Sequence, residues 1–496
     1  MHADIRKQPI VPLTGWERFF TDATAMFFYL SVVYVWGLTI FPLGRDYRLL
    51  AHPRAGAPFL TGRLLTWEVD TFGTFAVGYH LVNLLLLYAC MLCLYWFVRR
   101  AIKGPPWLGA LAAALFMANP IHSEAVLNLS GAVDLLPCFL ALAALTAYAE
   151  DVAAPRRWWK VIIPVLFAFA VLPFQENAFL LAVMILYEMI APGEAGQRVQ
   201  RLAPLGLITL AAWHMHSHIF DLSSLNPARM LAPLYFIFFP LGCLPETART
   251  FCARPWLGWV AGAAVVLLLA LIYRTARRPV ILFGLLAMVA VRLFQGHEFI
   301  DPVHLIGGGK LLLANALFNV ALVALFYRMM DHPKWRKPVI VFTTMLCVVF
   351  FGLEIRSVFA WRYAGDVLRQ YWADCNTGKE REDTRIDYQY YLGAPICLSE
   401  SLKYDTPFSE GGRDCGGFFL PMHYSRNPRL QLAYEVVPPD QGRLVIRGKR
   451  PVDLLCYPYT LAQPGGKLST DGGRLETLVV EEDALVLSVN PGIWKR

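Results

Sequence analysis

The chain has 496 residues, of which 56% are hydrophobic and 17% are charged. Ordinary soluble domains carry roughly 25% charged residues, so this composition excludes a soluble protein and predicts that most of the chain lies in a lipid bilayer. The formal net charge of +8 resides mostly in short loops between apolar runs and therefore does not indicate nucleic-acid binding.

Apolar runs recur along the chain at roughly the length needed to cross about 30 Å of hydrocarbon at 1.5 Å per helical residue. They predict an all-α polytopic membrane protein with about 11 transmembrane helices. The predicted spans are 23–43, 75–98, 105–120, 130–149, 160–174, 178–192, 202–219, 255–273, 279–295, 310–329 and 338–358. The apolar run within 226–246 is short and interrupted by proline, so it is predicted to be a re-entrant segment.

Basic residues gather in alternate loops, which predicts the orientation because positively charged loops stay in the cytoplasm. They lie at 6–7, 99–103, 156–160, 198–201, 274–278 and 328–337. The N-terminus is therefore predicted to be cytoplasmic and residues 359–496 to be extracytoplasmic. We expect a multi-pass protein of the bacterial inner membrane, with this tail in the periplasm and membrane lipids around the spans.

Residues 1–358 are predicted to form the transmembrane domain and residues 359–496 a small β-rich domain, because the tail alternates polar and apolar residues between turn sequences. Four cysteines of the tail, Cys375, Cys397, Cys415 and Cys456, predict two disulfides with three possible pairings, and Cys243 could pair with Cys252. None has the spacing of a zinc site, so no metal is predicted. His214, His216 and His218 are interpreted as interfacial anchors.

Two carboxylates, Glu124 and Asp134, lie at or inside a predicted membrane boundary, where ionisable groups are costly and usually functional. The outer loop at 44–74 adds further acids and Arg63. A carboxylate can deprotonate an acceptor, and cations such as Arg63 and Lys310 can neutralise a phosphate. This combination predicts group transfer from a lipid phosphate at the outer face.

Five sequence elements occur in a fixed order over about residues 20–330. They are Arg-Leu-Leu-Thr at 63–66, Gly-Tyr-His-Leu-Val-Asn at 78–83, Asn-Pro-Ile-His-Ser-Glu-Ala-Val at 119–126, Ser-Gly-Ala-Val-Asp-Leu-Leu at 130–136 and Pro-Phe-Gln-Glu-Asn-Ala at 173–178. This series resembles the GT-C membrane glycosyltransferases. It is similar in particular to the proteins related to the O-mannosyltransferases that carry tetratricopeptide repeats.

The resemblance implies a GT-C type helical bundle that moves a sugar from a polyprenyl-phosphate donor to an extracytoplasmic protein or glycan. It assigns Asp46 as the general base, Glu124 as a second catalytic acid and Lys310 as a ligand of the donor phosphate. Direct displacement would invert the anomeric centre, and no cofactor is implied. The other residues expected to bind substrate are Arg63, His80, His122, Glu176 and His297.

The chain departs from this pattern at several positions. Relatives have a pair of acids where this chain has Arg45 and Asp46, an Arg in place of Ala132 and a Lys in place of Gln175, and the repeats are missing. A non-catalytic assembly subunit therefore remains an alternative, as does a transporter of lipid-linked precursors. Structural roles are open too, with Glu124 bracing a helix and Asp134 pairing with His80 or Asn83 across the bundle.

Overall fold

The structure is a computed structural model, and most of its described part is α-helical. The described residues are 15–43, 45–174, 177, 179–191, 194–215, 237, 279–294 and 308–376, together with a four-residue turn at 406–409 and the strand segments given below. The predicted re-entrant segment at 226–246, apart from residue 237, and the predicted span at 255–273 lie outside these residues.

Fourteen helices are numbered in chain order within this part of the chain. They are α1 (Gly15–Tyr34), α2 (Asp46–Ala51), α3 (Pro53–Gly56), α4 (Phe59–Phe72), α5 (Ala76–Ile102), α6 (Trp107–Ala118), α7 (Ser123–Leu127), α8 (Ala132–Ala153), α9 (Trp159–Val171), α10 (Leu180–Ile190), α11 (Ala195–Met215), α12 (Pro279–Phe294), α13 (Leu312–Met330) and α14 (Pro333–Asn376). Short 3-10 turns at Pro120–His122, Leu129–Gly131 and Gly308–Leu311 precede α7, α8 and α13.

Five of the described helical segments are long and apolar enough to cross a membrane, and a sixth is a bent pair formed by α6 and Pro120–Leu127. Ten of the eleven predicted spans overlap described helices, but several of these helices are short, so the count of eleven is not confirmed. The apolar helices support a membrane protein. The GT-C type of bundle and the predicted orientation stay predictions.

The bundle has an inner and an outer set of spans. The segment Gly308–Met330 is 89% buried and Leu129–Ala153 is 72% buried, whereas Pro333–Asp366 is only 22% buried. The exposed side chains of α14 are largely apolar, including Phe342, Met345 and Val348. The two most buried segments, which contain α8 and α13, therefore form the centre of the bundle. The helix α14 lies at the periphery, where lipid accommodates its exposed apolar side chains.

Buried polar contacts attach the peripheral helix α14 to α1 and α7. Glu354 of α14 accepts hydrogen bonds from the Tyr34 hydroxyl of α1 (2.5 Å) and the Ser123 hydroxyl of α7 (3.1 Å). The helix α14 also continues past the predicted domain boundary at 358, as far as Asn376. That boundary stays a prediction, but it does not coincide with a helix end.

The polypeptide breaks and bends by 56° between α6 and α7. Pro120 cannot donate a backbone hydrogen bond, and the Asn119 side chain accepts one from the Ile121 amide at 3.2 Å, which caps the following turn. A second break at Leu129–Gly131 lets the backbone at Gly131 approach the Ala125 carbonyl closely. Both breaks place polar residues at one end of the buried helices.

Gly131→Ala is expected to lower the thermal stability of the protein. A Cβ at this position would lie 1.9 Å from the Ala125 carbonyl oxygen, so the backbone would have to shift at a cost of about 1–3 kcal/mol. The matched control is Gly206→Ala in α11, where the added atom meets nothing within 4 Å. Thermal unfolding in detergent measures both, and equal unfolding temperatures would contradict the close approach at Gly131.

Short strands follow α14. They are β1 (Arg385–Asp387), β2 (Gln389–Tyr391), β3 (Ala394–Ile396), β4 (Phe419–Pro421), β5 (His423–Tyr424), β6 (Ala433–Val436), β7 (Arg443–Arg447), β8 (Leu454–Leu455), β9 (Leu475–Glu481) and β10 (Ala484–Val489). The largest sheet has the order β6-β7-β10-β9 with antiparallel pairs, and β1 pairs parallel with β4. The predicted β-rich domain stays a prediction, and the side chains of its predicted disulfides lie outside the described part.

One turn of the tail, 406–409, contacts the helical bundle. Two backbone hydrogen bonds between Thr406 and Ser409 close the turn. Phe408 lies edge-on to Phe41 with ring centroids 5.6 Å apart, and it also contacts Tyr79 of α5. This turn therefore packs against the same end of the bundle as the loop between α1 and α5.

Candidate functional site

Four charged side chains meet at this end of the bundle, although they come from distant parts of the sequence. Arg45 forms an ion pair with Asp134, and its Nε atom lies 4.0 Å from Glu124 Oε1. Lys310 Nζ lies 3.5 Å from the other oxygen of Asp134. Two cations and two carboxylates thus form one connected cluster.

The ends of four structural elements create this cluster. Arg45 directly precedes α2, and Lys310 lies in the 3-10 turn before α13. Glu124 and Asp134 each lie in the first turn of a helix, α7 and α8 respectively, where a negative charge is favourable because of the helix dipole. The breaks before these helices are therefore what bring both acids to the cations.

The cations lie nearer to the surface than the acid that joins them. The side chains of Arg45 and Lys310 are 24% and 20% exposed, whereas that of Asp134 is 1% exposed. Burial lowers the pKa of Arg45, but the charges of Asp134 and Glu124 raise it by more, so the net shift is upward. The guanidinium therefore stays charged, with part of its surface accessible to a ligand.

Asp134 does not pair with His80 or Asn83, contrary to the structural role considered from the sequence. His80 contacts two backbone carbonyls, of Val126 (3.4 Å) and Ile40 (3.3 Å), and Asn83 donates to the Asn128 carbonyl at 2.7 Å. Those two side chains satisfy the broken backbone around residues 126–128. Asp134 instead pairs with Arg45 and Lys310.

Asp46, the predicted base, is fully buried and accepts four hydrogen bonds. Oδ1 accepts from the Ser130 amide (2.9 Å) and hydroxyl (2.6 Å), and Oδ2 accepts from the amides of Leu43 and Leu129, both at 3.0 Å. This arrangement attaches the outer loop to the 3-10 turn before α8. In this conformation both oxygens are occupied by donors of the protein itself, and the catalytic role of Asp46 stays a prediction.

Glu68 on the inner face of α4 has the opposite environment. Its side chain is fully buried, and neither carboxylate oxygen has a hydrogen-bond partner in the described part of the chain. Burial raises the pKa of Glu68 to about 8. The uncharged carboxylic acid is therefore the main form of Glu68 near neutral pH.

The other predicted site residues are dispersed. Arg63 lies on the exposed face of α4, with its guanidinium 5.2 Å from the centre of the Phe59 ring, and it does not join the cluster. His122 is buried, and its Nε2 atom lies 2.5 Å from the Phe116 carbonyl oxygen and 2.9 Å from the Asn315 amide nitrogen. Glu176 and His297 lie outside the described residues, so their binding roles stay predictions.

Sequence reasoning missed Arg45 as a member of the site and favoured a structural role for Asp134. A signal was available, because an acid inside a membrane boundary needs a cation and the segment 119–134 contains no Lys or Arg. The cation therefore had to come from another segment, and Arg45 is adjacent to the predicted base. Across the ranges described above, no group of three or more His, Cys, Asp or Glu side chains is placed to hold a metal ion.

Comparison with known proteins gives partial matches. No protein-family model matches the chain. It is 37% identical over 107 residues to the protein O-mannosyl-transferase Tmtc1 of Drosophila melanogaster, which is 21% of this chain and 12% of the relative. It is 34% identical over 106 residues to Tmtc2 of the same organism, which is 20% of this chain and 11% of the relative.

These matches support a relationship between about a fifth of the chain and the Tmtc O-mannosyl-transferases. The chain spans only about an eighth of the length of these relatives. Both relatives are eukaryotic, so they give no support to the predicted bacterial inner membrane.

Proposed function

We propose that the protein is a membrane glycosyltransferase that moves a sugar from a polyprenyl-phosphate donor to an acceptor outside the cytoplasm. The observation that carries this proposal is that Arg45 and Lys310 both contact Asp134 at one end of an apolar bundle. Two cations in a partly buried site can stabilise the charge that develops on a leaving phosphate. The partial identity to the O-mannosyl-transferases favours mannose as the sugar.

The proposed reaction is a single displacement. The acceptor oxygen attacks the anomeric carbon, and the bond between that carbon and the phosphate oxygen breaks. The electron pair of that bond stays on polyprenyl phosphate, which gains one negative charge beside Arg45 and Lys310. The acceptor proton passes to a carboxylate of the site, and the sugar is linked to the acceptor with inverted configuration.

Glu124 is our choice for the residue that accepts this proton, with Asp46 holding the outer loop in place. Glu124 is 9% exposed and borders Arg45, whereas Asp46 has no exposed surface and accepts four hydrogen bonds. Asp46 could act as the base only after one of these donors is released. The variant Asp46→Asn tests the assignment of Asp46 as the base that the family resemblance implies.

Lys310→Met is expected to reduce sugar transfer at least about a hundredfold, by removing charge stabilisation from the leaving phosphate. The assay supplies membranes containing the full chain with radiolabelled polyprenyl-phosphate mannose and measures label in protein and in glycan. Lys337→Met is the matched control, because Lys337 is exposed in the first turns of α14 and the whole of α13 separates it from Lys310. It should transfer at the wild-type rate.

Other outcomes would point elsewhere. Retained configuration in the product would contradict the single displacement. No transfer by the wild-type chain with any polyprenyl-phosphate sugar would favour the non-catalytic assembly subunit. Movement of the intact donor across the bilayer without transfer would favour the transporter.

A further inference from the structure

Two buried acids determine where Lys310 lies. The amide of Gly308 donates to Glu124 Oε2 at 3.0 Å, and Lys310 Nζ lies 3.5 Å from Asp134 Oδ1. A Cβ on Gly309 would lie 2.5 Å from the Asp134 carboxylate, and one on Gly308 would lie 2.5 Å from the Ile121 carbonyl oxygen. The turn can therefore approach these acids closely only because both positions are glycine.

Asp134 is the common partner of both cations. Its Oδ2 atom pairs with Arg45, and its Oδ1 atom faces Lys310. Two like charges repel when they are brought together in a partly buried site, and the carboxylate between them offsets that repulsion. Because Asp134 lies beneath the two cations, it holds them side by side without covering their outer surfaces.

The cluster also contains unused hydrogen-bonding capacity. Within the described residues, Arg45 Nε and Asp134 Oδ1 are buried atoms without a hydrogen-bond partner. Glu124 Oε1 is 4.0 Å from Arg45 Nε, which is too long for a hydrogen bond. Buried polar groups are normally paired, so the unpaired Nε donor of Arg45 indicates that an anionic oxygen can complete this cluster.

We propose that Asp134 is a positioning residue, whose buried carboxylate holds Arg45 and Lys310 together as one site for the phosphate of a lipid donor. This inference rests on the proposed function. With Arg45, Lys310, Asp134 and Glu124 all ionised, the empty cluster has no net charge. As the phosphate gains charge during transfer, Lys310 moves its contact from Asp134 Oδ1 to a phosphate oxygen.

The test measures binding of farnesyl phosphate to the full chain in detergent by isothermal titration calorimetry, with farnesol as the uncharged control. The wild-type protein should bind the phosphate and not the alcohol. Asp134→Asn should bind farnesyl phosphate about three- to tenfold more tightly, because a negative charge next to the anion is removed. Its kcat for transfer should nevertheless fall at least about tenfold, because the cations are no longer held in place.

The test does not depend on whether Asp134→Asn folds, because three further variants probe the same site. They are Arg45→Met, Lys310→Met and the double variant. In each single variant, the remaining cation pairs fully with Asp134 and is withdrawn from the ligand. We expect each single change to weaken binding by about tenfold and the double change to weaken it little further, which is non-additive behaviour.

The outcomes separate the two proposals. Independent losses that multiply in the double variant would overturn the role of Asp134 while leaving a phosphate site intact. Weaker binding by Asp134→Asn, in parallel with lost thermal stability, would also overturn it. Equal affinity of the wild-type protein for farnesyl phosphate and farnesol would instead reject the lipid-phosphate donor, and with it the proposed function.

Discussion

Asp46→Asn is expected to lower the free energy of unfolding by about 3–5 kcal/mol, because hydrogen bonds to a buried charged group are strong and unpaired buried donors are costly. The carboxylate accepts from three backbone amides and one hydroxyl. In asparagine an NH2 group replaces one of its two oxygens. At least one buried backbone N–H would then face another donor.

Thermal unfolding of the purified protein measures this effect, together with transfer activity at a temperature at which the variant is folded. Ser130→Ala, which removes one of the four donors, should cost about 1–2 kcal/mol. Asp70→Asn changes an exposed acid on α4 and should leave stability unchanged. If Asp46→Asn unfolds like the wild type but transfers no sugar, Asp46 is the base and our assignment of Glu124 is wrong.

Glu68→Gln is expected to stabilise the protein at neutral pH. Folding raises the pKa of Glu68 from its ordinary value of 4.5 to about 8, so between these values the folded state binds more protons than the unfolded state. Stability therefore falls as the pH rises through this window. At pH 7 Glu68 ionises in the unfolded state but stays mainly protonated in the folded state, which lowers the stability of the wild-type protein by roughly 3 kcal/mol. Glutamine does not ionise in either state and avoids this loss.

Unfolding temperatures of the wild type and of Glu68→Gln should converge below about pH 4, and the difference should grow up to about pH 8. Above that pH it should stay constant, because Glu68 is then ionised in both states. Asp70→Asn again provides the control, since it removes an acid from the same helix without changing a buried group. A difference that does not vary with pH would show that Glu68 is not buried as a protonated acid.

The burial of Glu68 also shows how far the apolar pattern of a helix predicts which side chains are buried. Residues Thr61, Leu65 and Glu68 lie on one face of α4 and are buried, while Phe59, Arg63 and Trp67 lie on the other face and are exposed. The apolar pattern alone would place Phe59 and Trp67 inside. Their exposure, on a helix between two spans, is typical of a membrane interface, where aromatic residues and arginine are favoured.

The charged cluster could not be predicted from the residue pattern of any single helix. Arg45 and Asp134 are 89 positions apart, and Asp46 meets three of its four donors 83 or 84 positions away. Nothing local in either segment shows that Arg45, rather than a nearby group, neutralises Asp134. The choice depends on how the broken helices before α7, α8 and α13 pack, which is a property of the bundle.

Composition and the lengths of the apolar runs were enough to predict a membrane protein and the positions of most of its helices, because the cost of exposing polar backbone and side chains to hydrocarbon depends on local composition. Through the family resemblance the sequence also predicted that Asp46, Glu124 and Lys310 belong to one site. Which charges pair and which are buried became clear only from the packing of the helices. Arg45 and Lys310 share Asp134, Asp46 is surrounded by donors and Glu68 has none, because electrostatic energy depends on distances of a few ångströms between segments that are remote in the chain.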